Sequence, residues 1–467
     1  MKVVRERYLK LLEAKRHNGL VKIITGIRRC GKSYLLGTLF RERLLSEGVN
    51  NDHIIEVSLD RKENIPLRNA IDLGEHIRQR IRHDGLWNYV FIDEVQLAKK
   101  VLPEGVDLKR FAPEDREDAY VTFYDVLNDL RQIEKVDVYV TGSNSRMLST
   151  DINTNFADRG CQIRVHPFSF AEYCQALKPA DKSAAFNDYL IWGGMPLAVA
   201  EPDNRERAKY LQGLFKEVYE RDIIERNRLR GANILSPLID VISSAVGSLS
   251  NPNRLVDTLA SVLKVKTNGH TVKVYIDYLK DAFLFSESKR WDVKGKSYFD
   301  YPVKYYSEDP GLRNARLDFR DVEPSHAMEN VVYNELIRRG CLVDVGVVPV
   351  VSVNADGRQE LKLHEIDFVV NRAPGKLYLQ SAWKLPTREK EEQELIPLRR
   401  SGDFFAKIIV TEGYMPPQKD IYDVWTLPEC KYIAPTGKKF LGWGTSSSVS
   451  SSSESNISLL SPFELIS

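Results

Sequence analysis

Gly26-Ile27-Arg28-Arg29-Cys30-Gly31-Lys32-Ser33 fits the phosphate-binding pattern G-x-x-x-x-G-K-[ST] at every fixed position, and its flanks supply the strand and helix the pattern needs. Ahead of it, Val21-Lys22-Ile23-Ile24-Thr25 is a short β-branched run suited to a buried strand; behind it, residues 34–45 carry helical apolar spacing. In such a loop the glycines let the backbone bend so that successive N–H groups point at the β- and γ-phosphates. The positive end of the following helix adds to that field. Gly26, Ile27, Arg28, Arg29, Cys30, Gly31, Lys32 and Ser33, with Tyr34 behind them, are therefore expected to bind ATP. Lys32 would neutralise phosphate charge and Ser33 would hold Mg2+.

Residues 8–14 read as a short amphipathic helix packing on the adenine side of this site, residues 53–59 as a second strand and 73–82 as a further helix. Tyr89-Val90-Phe91-Ile92-Asp93-Glu94 then gives four apolar residues of a buried parallel strand ending in two carboxylates, where strand C-termini line the crevice of an α/β sheet. This is a Walker B pattern. Asp93 would hold the magnesium shell through water, and Glu94 would orient and deprotonate the attacking water. The strand at 137–141 runs into Gly142-Ser143-Asn144-Ser145-Arg146. In ATPases with a strand inserted between the two Walker strands, that tip carries a polar residue that helps hold the water; Ser143 and Asn144 both qualify. Arg159, just ahead of a strand at 162–165, has two readings: a finger reaching a neighbouring subunit's γ-phosphate, or a surface arginine paired with Asp158.

A chain of 467 residues exceeds what one core organises, so two or three domains are expected. Its 67 basic and 65 acidic residues leave a net charge of +2, which excludes a global field drawing it to nucleic acid or membrane; such binding would be local. Five cysteines, at 30, 161, 174, 341 and 430, lack C-x-x-C pairs, which argues against a disulfide framework or structural zinc and for a reducing compartment. The start carries Lys2, Arg5, Glu6 and Arg7 in place of an apolar leader, and no window approaches the roughly 20 apolar residues of a membrane span. A cytoplasmic protein with no membrane partner is expected.

Residues 210–228 read as a charged helix whose Arg221, Asp222, Glu225 and Arg226 lie on a solvated or interdomain face, or supply an arginine to the nucleotide. Short helices follow at 238–246, 254–263 and 271–279, with Asn268-Gly269 in a turn. Then come apolar Ala282-Phe283-Leu284-Phe285, the basic tip Lys294-Gly295-Lys296 and a return segment at 303–306. The pattern is that of a winged helix. Thr271 and Lys273 would face a DNA groove and Lys294 and Lys296 meet phosphates, unless the unit is a protein adaptor. Farther on, Glu329 lies in a helix at 329–339, Asp367 in a strand, and Gln380 in another at 377–382, the outline of a metal-dependent nuclease core. Such cores need an acidic residue and a lysine two apart on the last strand, where this chain has Gln380 and Ala382. Lys384 lies on the same strand face about 7 Å farther along. A helix at 387–399, a strand at 405–411, a serine-rich linker at 444–455 and an apolar tail at 457–466 complete the chain.

The segments 25–35, 91–96, 140–148, 167–173 and 189–196 resemble successive motifs of one family, the bacterial and archaeal AAA-type ATPases with a C-terminal domain of unknown function. The resemblance runs through nearly the whole chain. It implies an α/β fold: a P-loop AAA-type parallel sheet, a helical lid beginning near Gly193-Gly194, a winged-helix middle, and a C-terminal α/β domain similar to the PD-(D/E)XK restriction-endonuclease fold. Glu329, Asp367 and Gln380 fall on that fold's metal-site positions, here degenerate. The family shows Gly-Arg where this chain has Arg159-Gly160. The expected plan is an ATP-binding core at 1–180, lid at 181–234, winged-helix segment at 235–310, nuclease-like domain at 311–440 and tail at 441–467. The expected function is ATP hydrolysis coupled to the later modules, which act on DNA or a protein partner, in a homo-oligomer. A nucleotide-dependent switch with little hydrolysis and an ATP-dependent DNA nuclease are the alternatives.

Overall fold

The computed structural model describes residues 2–142, 159–229, 233–320, 322–353, 358–372, 375–403 and 405–411, together with the backbone of two short strands at 418–419 and 424–428. Ser143 and Asn144, the segment 441–467 and Cys430 lie outside the described residues.

Five strands build the first sheet: β1 (Val21–Thr25), β2 (Ile54–Ser58), β3 (Asn88–Asp93), β4 (Val136–Gly142) and β5 (Gly160–Arg164). All pairs are parallel and the order is β2-β3-β4-β1-β5, so β4 lies between β1 and β3 as expected. Helices cover both faces, and alternate residues of each strand therefore enter different cores. Val21, Ile23, Val90, Ile92, Val138 and Val140 pack toward the helices Ala70–Arg78 and Phe123–Gln132, whereas Ile24, Phe91 and Tyr139 pack with Leu36 and Phe40 of the helix after the phosphate loop. That helix starts at Lys32–Tyr34, passes through a π-helical stretch at Leu35–Phe40 and ends as Arg41–Ser46. Buried Lys22 ionically pairs with Asp137, which also accepts from the Tyr139 hydroxyl at 2.8 Å, so the charge inside β1 is compensated.

The helices Leu235–Ser244, Pro252–Ser261 and Gly269–Asp281 follow, with β6 (Leu249–Ser250) between the first two and a hairpin of β7 (Phe285–Asp292) and β8 (Ser297–Ser307) after the third. Of the apolar stretch 282–285 only the last residue enters β7, because Phe283 takes a positive φ of 56° in a turn. β6 and β7 flank β8 in antiparallel register. The outer edge of β7 pairs in parallel with β9 (Leu342–Val353), Arg290 to Asp292 lying beside Val345 to Val347. β10 (Gln359–Arg372), β11 (Gly375–Ala382), β12 (Ala406–Thr411), β13 (Gln418–Lys419) and β14 (Val424–Pro428) complete one nine-stranded sheet, ordered β13-β14-β12-β11-β10-β9-β7-β8-β6. The boundary expected at 310 thus falls within a continuous sheet: a hairpin edge that would otherwise offer unpaired backbone groups is taken by β9. Lys294, expected to meet phosphates, donates to the Pro349 carbonyl at 3.0 Å.

The two sheets meet at the end of β8. The Glu308 carboxylate accepts from Arg164 Nη2 at 2.5 Å and from His166 Nδ1 at 2.8 Å. Asp309 accepts from the Gly194 amide at 2.7 Å and caps the helix Pro310–Arg316 through the Leu312 amide at 3.0 Å. Gly194 is required by close approach, since a Cβ there would lie 2.0 Å from the Phe168 carbonyl oxygen. Among the described residues no helix is long and apolar enough to cross a membrane.

Burial by itself would raise the Glu308 carboxyl, but Arg164 and His166 hold it down to about 2. Its ordinary value is 4.5, so the group contributes stability above that pH and the contribution is lost as pH falls from 4.5 toward 2. Glu308→Gln is expected to lower stability at pH 7 by roughly 3 kcal/mol and to flatten the loss on acidification. Urea unfolding at pH 7, 4 and 3 measures both; the same acid slope in variant and parent would contradict the assignment.

Candidate active site

Strand β1 delivers Gly26 at its C-terminal end with φ of 143°, and a Cβ there would stand 2.0 Å from the Val165 carbonyl oxygen. Only glycine fits this approach. The loop is pinned from behind: Cys30 Sγ donates to the same Val165 carbonyl at 3.2 Å, and buried Arg5 donates to Cys30 O at 3.0 Å, His166 O at 2.7 Å and the Glu172 carboxylate at 3.0 Å. Lys32 Nζ folds over the loop, donating to Gly26 O at 3.0 Å and Ile27 O at 3.1 Å.

Opposite the loop, the parallel register puts Ser58, Asp93 and Thr141 side by side at the ends of β2, β3 and β4. Asp93 accepts from Ser33 Oγ at 2.9 Å and from Thr141 Oγ1 through one oxygen, and from Ser58 Oγ at 3.4 Å through the other. These hydroxyl and carboxylate oxygens are hard donors of the kind Mg2+ takes. Glu94 sits in the left-handed region at φ 55°, its amide donating to Thr141 Oγ1 at 3.0 Å and its carboxylate held by Gln96 Nε2. Burial raises the Glu94 carboxyl above its ordinary value; Lys32 opposes that and the Asp93 charge adds to it. A positive φ on a non-glycine residue at such a place is strain that the surrounding bonds sustain.

From the other side, the helix Asn204–Glu217 and its π-helical continuation Val218–Glu225 approach the loop. Arg28 makes a two-pronged bond to Asp222, Nη2 to Oδ1 at 2.9 Å and Nε to Oδ2 at 3.1 Å, while Arg29 Nη2 reaches Glu217 at 3.2 Å. The face read as solvated or interdomain has both characters: Arg221 is exposed, and Asp222 is buried against the loop. A cleft beside the loop holds about 580 Å³ and is lined on its apolar side by Val3, Phe168, Pro196 and Leu197, with half-exposed Tyr34 at the lip. The helix expected on the adenine side, Glu6–Ala14, turns Tyr8, Leu9 and Leu12 into the core, and residues just ahead of it line the cleft.

Arg159 is not at this site. Its carbonyl accepts from the Val21 amide at 3.0 Å, at the end of β1 opposite Gly26. Arg5, Thr141 and Glu217 escaped the sequence reading as site residues, and Asp222 was named only as part of a solvated or interdomain face; Thr141 was readable only as a strand residue, because its hydroxyl matters through the strand order. In the C-terminal part, Glu329, Asp367 and Gln380 do converge. Gln380 Oε1 accepts from the Asp367 amide at 3.2 Å, and Lys304 Nζ, from β8, joins Glu329 at 2.9 Å to Asp367 at 3.2 Å. Among the described residues no group of three or more His, Cys, Asp or Glu is arranged to hold a metal ion.

Residues 18–174 match the model of a family described as AAA domain, and residues 183–323 match a domain of unknown function. A protein of Haemophilus influenzae is 30% identical over 416 residues, covering 88% of this chain and 94% of its own length. This chain belongs to its family, one built on an AAA domain. The AAA match accounts for the five-stranded parallel sheet as a P-loop fold of the AAA+ kind; the domain of unknown function covers the helices between the two sheets and the hairpin of β7 and β8 rather than the C-terminal end. A more distant protein of Methanocaldococcus jannaschii is 21% identical over 388 residues, 80% of this chain and 77% of that protein. The solved structure of the Aeropyrum pernix ORC1 protein in complex with DNA aligns with 68% of this chain and 93% of its own at 13% identity and a TM-score of 0.27, too slight a likeness to bear on function.

The Gly26 approach is directly testable. Gly26→Ala is expected to lower stability by roughly 2 kcal/mol or more, because the new Cβ must displace either the loop or residue 165. An unchanged urea midpoint in a soluble Gly26→Ala protein would show that the loop does not lie against Val165.

Proposed function

We propose that this protein binds ATP with Mg2+ in the loop Gly26 to Ser33 and hydrolyses it, using the energy to act on a partner through its later modules. The observation that carries the reading is the pairing of that loop with Asp93 and Glu94: Ser33 Oγ bonds Asp93 at 2.9 Å, and the adjacent Glu94 is shifted toward the proton-accepting range. Backbone N–H groups of the loop and Lys32 receive the phosphates. Ser33 and Asp93 would hold Mg2+, which when bound supplies charge neutralisation between the phosphates. Glu94, fixed by Thr141 and Gln96, orients a water and takes its proton. Ser143 or Asn144, outside the described residues, is the polar residue expected to help hold that water, and Arg159, at the far end of β1, serves a neighbouring subunit in a homo-oligomer.

Coupling begins at the lid. Arg28 and Arg29 are held by Asp222 and Glu217, and a triphosphate arriving in the loop competes with those carboxylates for the same guanidiniums. The segment 235–310 has the helix, strand and hairpin order of a winged helix, and the helix Gly269–Asp281 carries exposed Lys273, the residue expected to face a DNA groove. The segment 311–440 is read as a degenerate nuclease-like unit used for binding.

Lys32→Ala is expected to abolish nucleotide binding, and Glu94→Gln to bind ATP while losing at least about a hundredfold in turnover, the usual worth of a general base. Nucleotide binding by calorimetry and phosphate release measure the two. Parental turnover in the Glu94→Gln protein would remove Glu94 from the role given to it.

A further inference from the structure

Three carboxylates converge on one ammonium between the hairpin and the C-terminal part of the sheet. Glu329 comes from the helix Pro324–Arg338, Glu365 and Asp367 from β10, and the ammonium from Lys304 of β8, at 2.9, 2.6 and 3.2 Å. We infer that Lys304 stands where a nuclease of this outline would hold a metal ion, and that the cluster is an ion-paired lock fastening the hairpin to the C-terminal strands.

An ammonium has three donors and here meets three acceptors, so its valence is filled. The lysine side chain is 3% exposed, those of Glu329 and Asp367 10% and 9%, and Glu365 is 33% exposed at the rim. A charge so buried persists only when paired. Burial works against the Lys304 cation, yet Glu329, Asp367 and Glu365 together raise it well above its ordinary value, so it stays charged. Three carboxylates around one ammonium leave surplus negative charge, and the surroundings relieve it. Tyr306 donates its hydroxyl to Glu329 at 2.8 Å and the Ser381 amide donates to Asp367 at 2.9 Å. Burial, opposed by Lys304 and reinforced by Asp367, pushes the Glu329 carboxyl up to about 7.

The position where a metal-dependent core needs an anionic ligand is occupied by Gln380, whose amide is consumed internally: its oxygen accepts from the Asp367 amide, and its nitrogen donates to Glu394 at 2.8 Å. The residue two further on, where such a core carries its lysine, is buried Ala382. The residues present therefore do not fit a metal-dependent nuclease, and the cation is supplied from another strand. Its placement has a mechanical result. Lys304 lies four residues before Glu308 on the strand that reaches Arg164 and His166 of the first sheet. Asn330 clips the same strand, accepting from the Ser307 amide at 2.7 Å and donating to its carbonyl at 2.8 Å. Hairpin and C-terminal strands are thereby held as one body at the end of the first sheet.

The test uses the full chain carrying Asp93→Asn, which removes the phosphate-loop carboxylate as a competing cation site. With Lys304 intact, calorimetric titration with MnCl2 is expected to show no binding that depends on Asp367. With Lys304→Ala added, one Mn2+ site is expected to appear and to vanish again on Asp367→Asn. Hydrogen exchange of the Lys304→Met protein is expected to speed up by about tenfold or more at residues 290–292 and 345–347, with the first sheet unchanged. Asp367-dependent Mn2+ binding with Lys304 in place would overturn the inference, and that arm needs no variant at the lysine. A folded Lys304→Ala protein that acquires no Mn2+ site, or unchanged exchange at the β7–β9 seam, would overturn it as well.

Discussion

The guanidinium of Arg5 is the tie on which the rest of the molecule depends. Buried at 2% exposure, it must satisfy its donors inside the protein, and it does so on three separate elements: the Cys30 carbonyl of the phosphate loop, the His166 carbonyl after β5, and the Glu172 carboxylate of the next helix. An unpaired cation there would cost several kcal/mol, so the three elements are held to one another by the penalty of separating them. From His166 the contact passes through its ring to Glu308, along β8 to Lys304, and so to the carboxylates of β10. The phosphate loop and the C-terminal sheet are thus joined by a short series of buried polar bonds.

These bonds explain how a chain with almost no net charge remains strongly electrostatic inside. Lys22 with Asp137, Arg5 with Glu172, Arg164 with Glu308, and Lys304 with its three carboxylates are all largely withdrawn from water. Surface ion pairs contribute little, but a buried pair is expensive to break and specifies which groups may face each other. The contacts of Arg28 and Arg29 lie at the loop itself. Arg29 with Glu217 is partly exposed, whereas Arg28 with Asp222 is about as buried as Arg164 with Glu308.

Much of the first sheet was legible because its signals are local. β1 matches the expected strand residue for residue, and the other four lie within two residues of their expected ends, since a buried parallel strand declares itself in a few consecutive apolar residues. The loop and the Asp93-Glu94 pair are legible for the same reason. The expectation for residues 221–226, a solvated or interdomain face, left open which residues meet solvent, because helical spacing reveals a charged face without saying what lies opposite it. Asp222 is buried by Arg28, 194 residues away in sequence. The continuity of the second sheet was not legible at all: β7 and β9 pair over only three positions, and no composition signal marks that seam.

By itself the sequence determined the phosphate-loop motif, the alternation of strands and helices, and which carboxylates stand at the end of β3, because each is set by neighbours within about one element. Tertiary structure alone decided which hydroxyls join Asp93, which carboxylates clasp the loop arginines, and that Lys304 answers Glu329, Glu365 and Asp367. Those matters turn on strand order and register. Residues far apart in the chain are brought within 3 Å of one another by backbone pairing whose pattern no single stretch encodes.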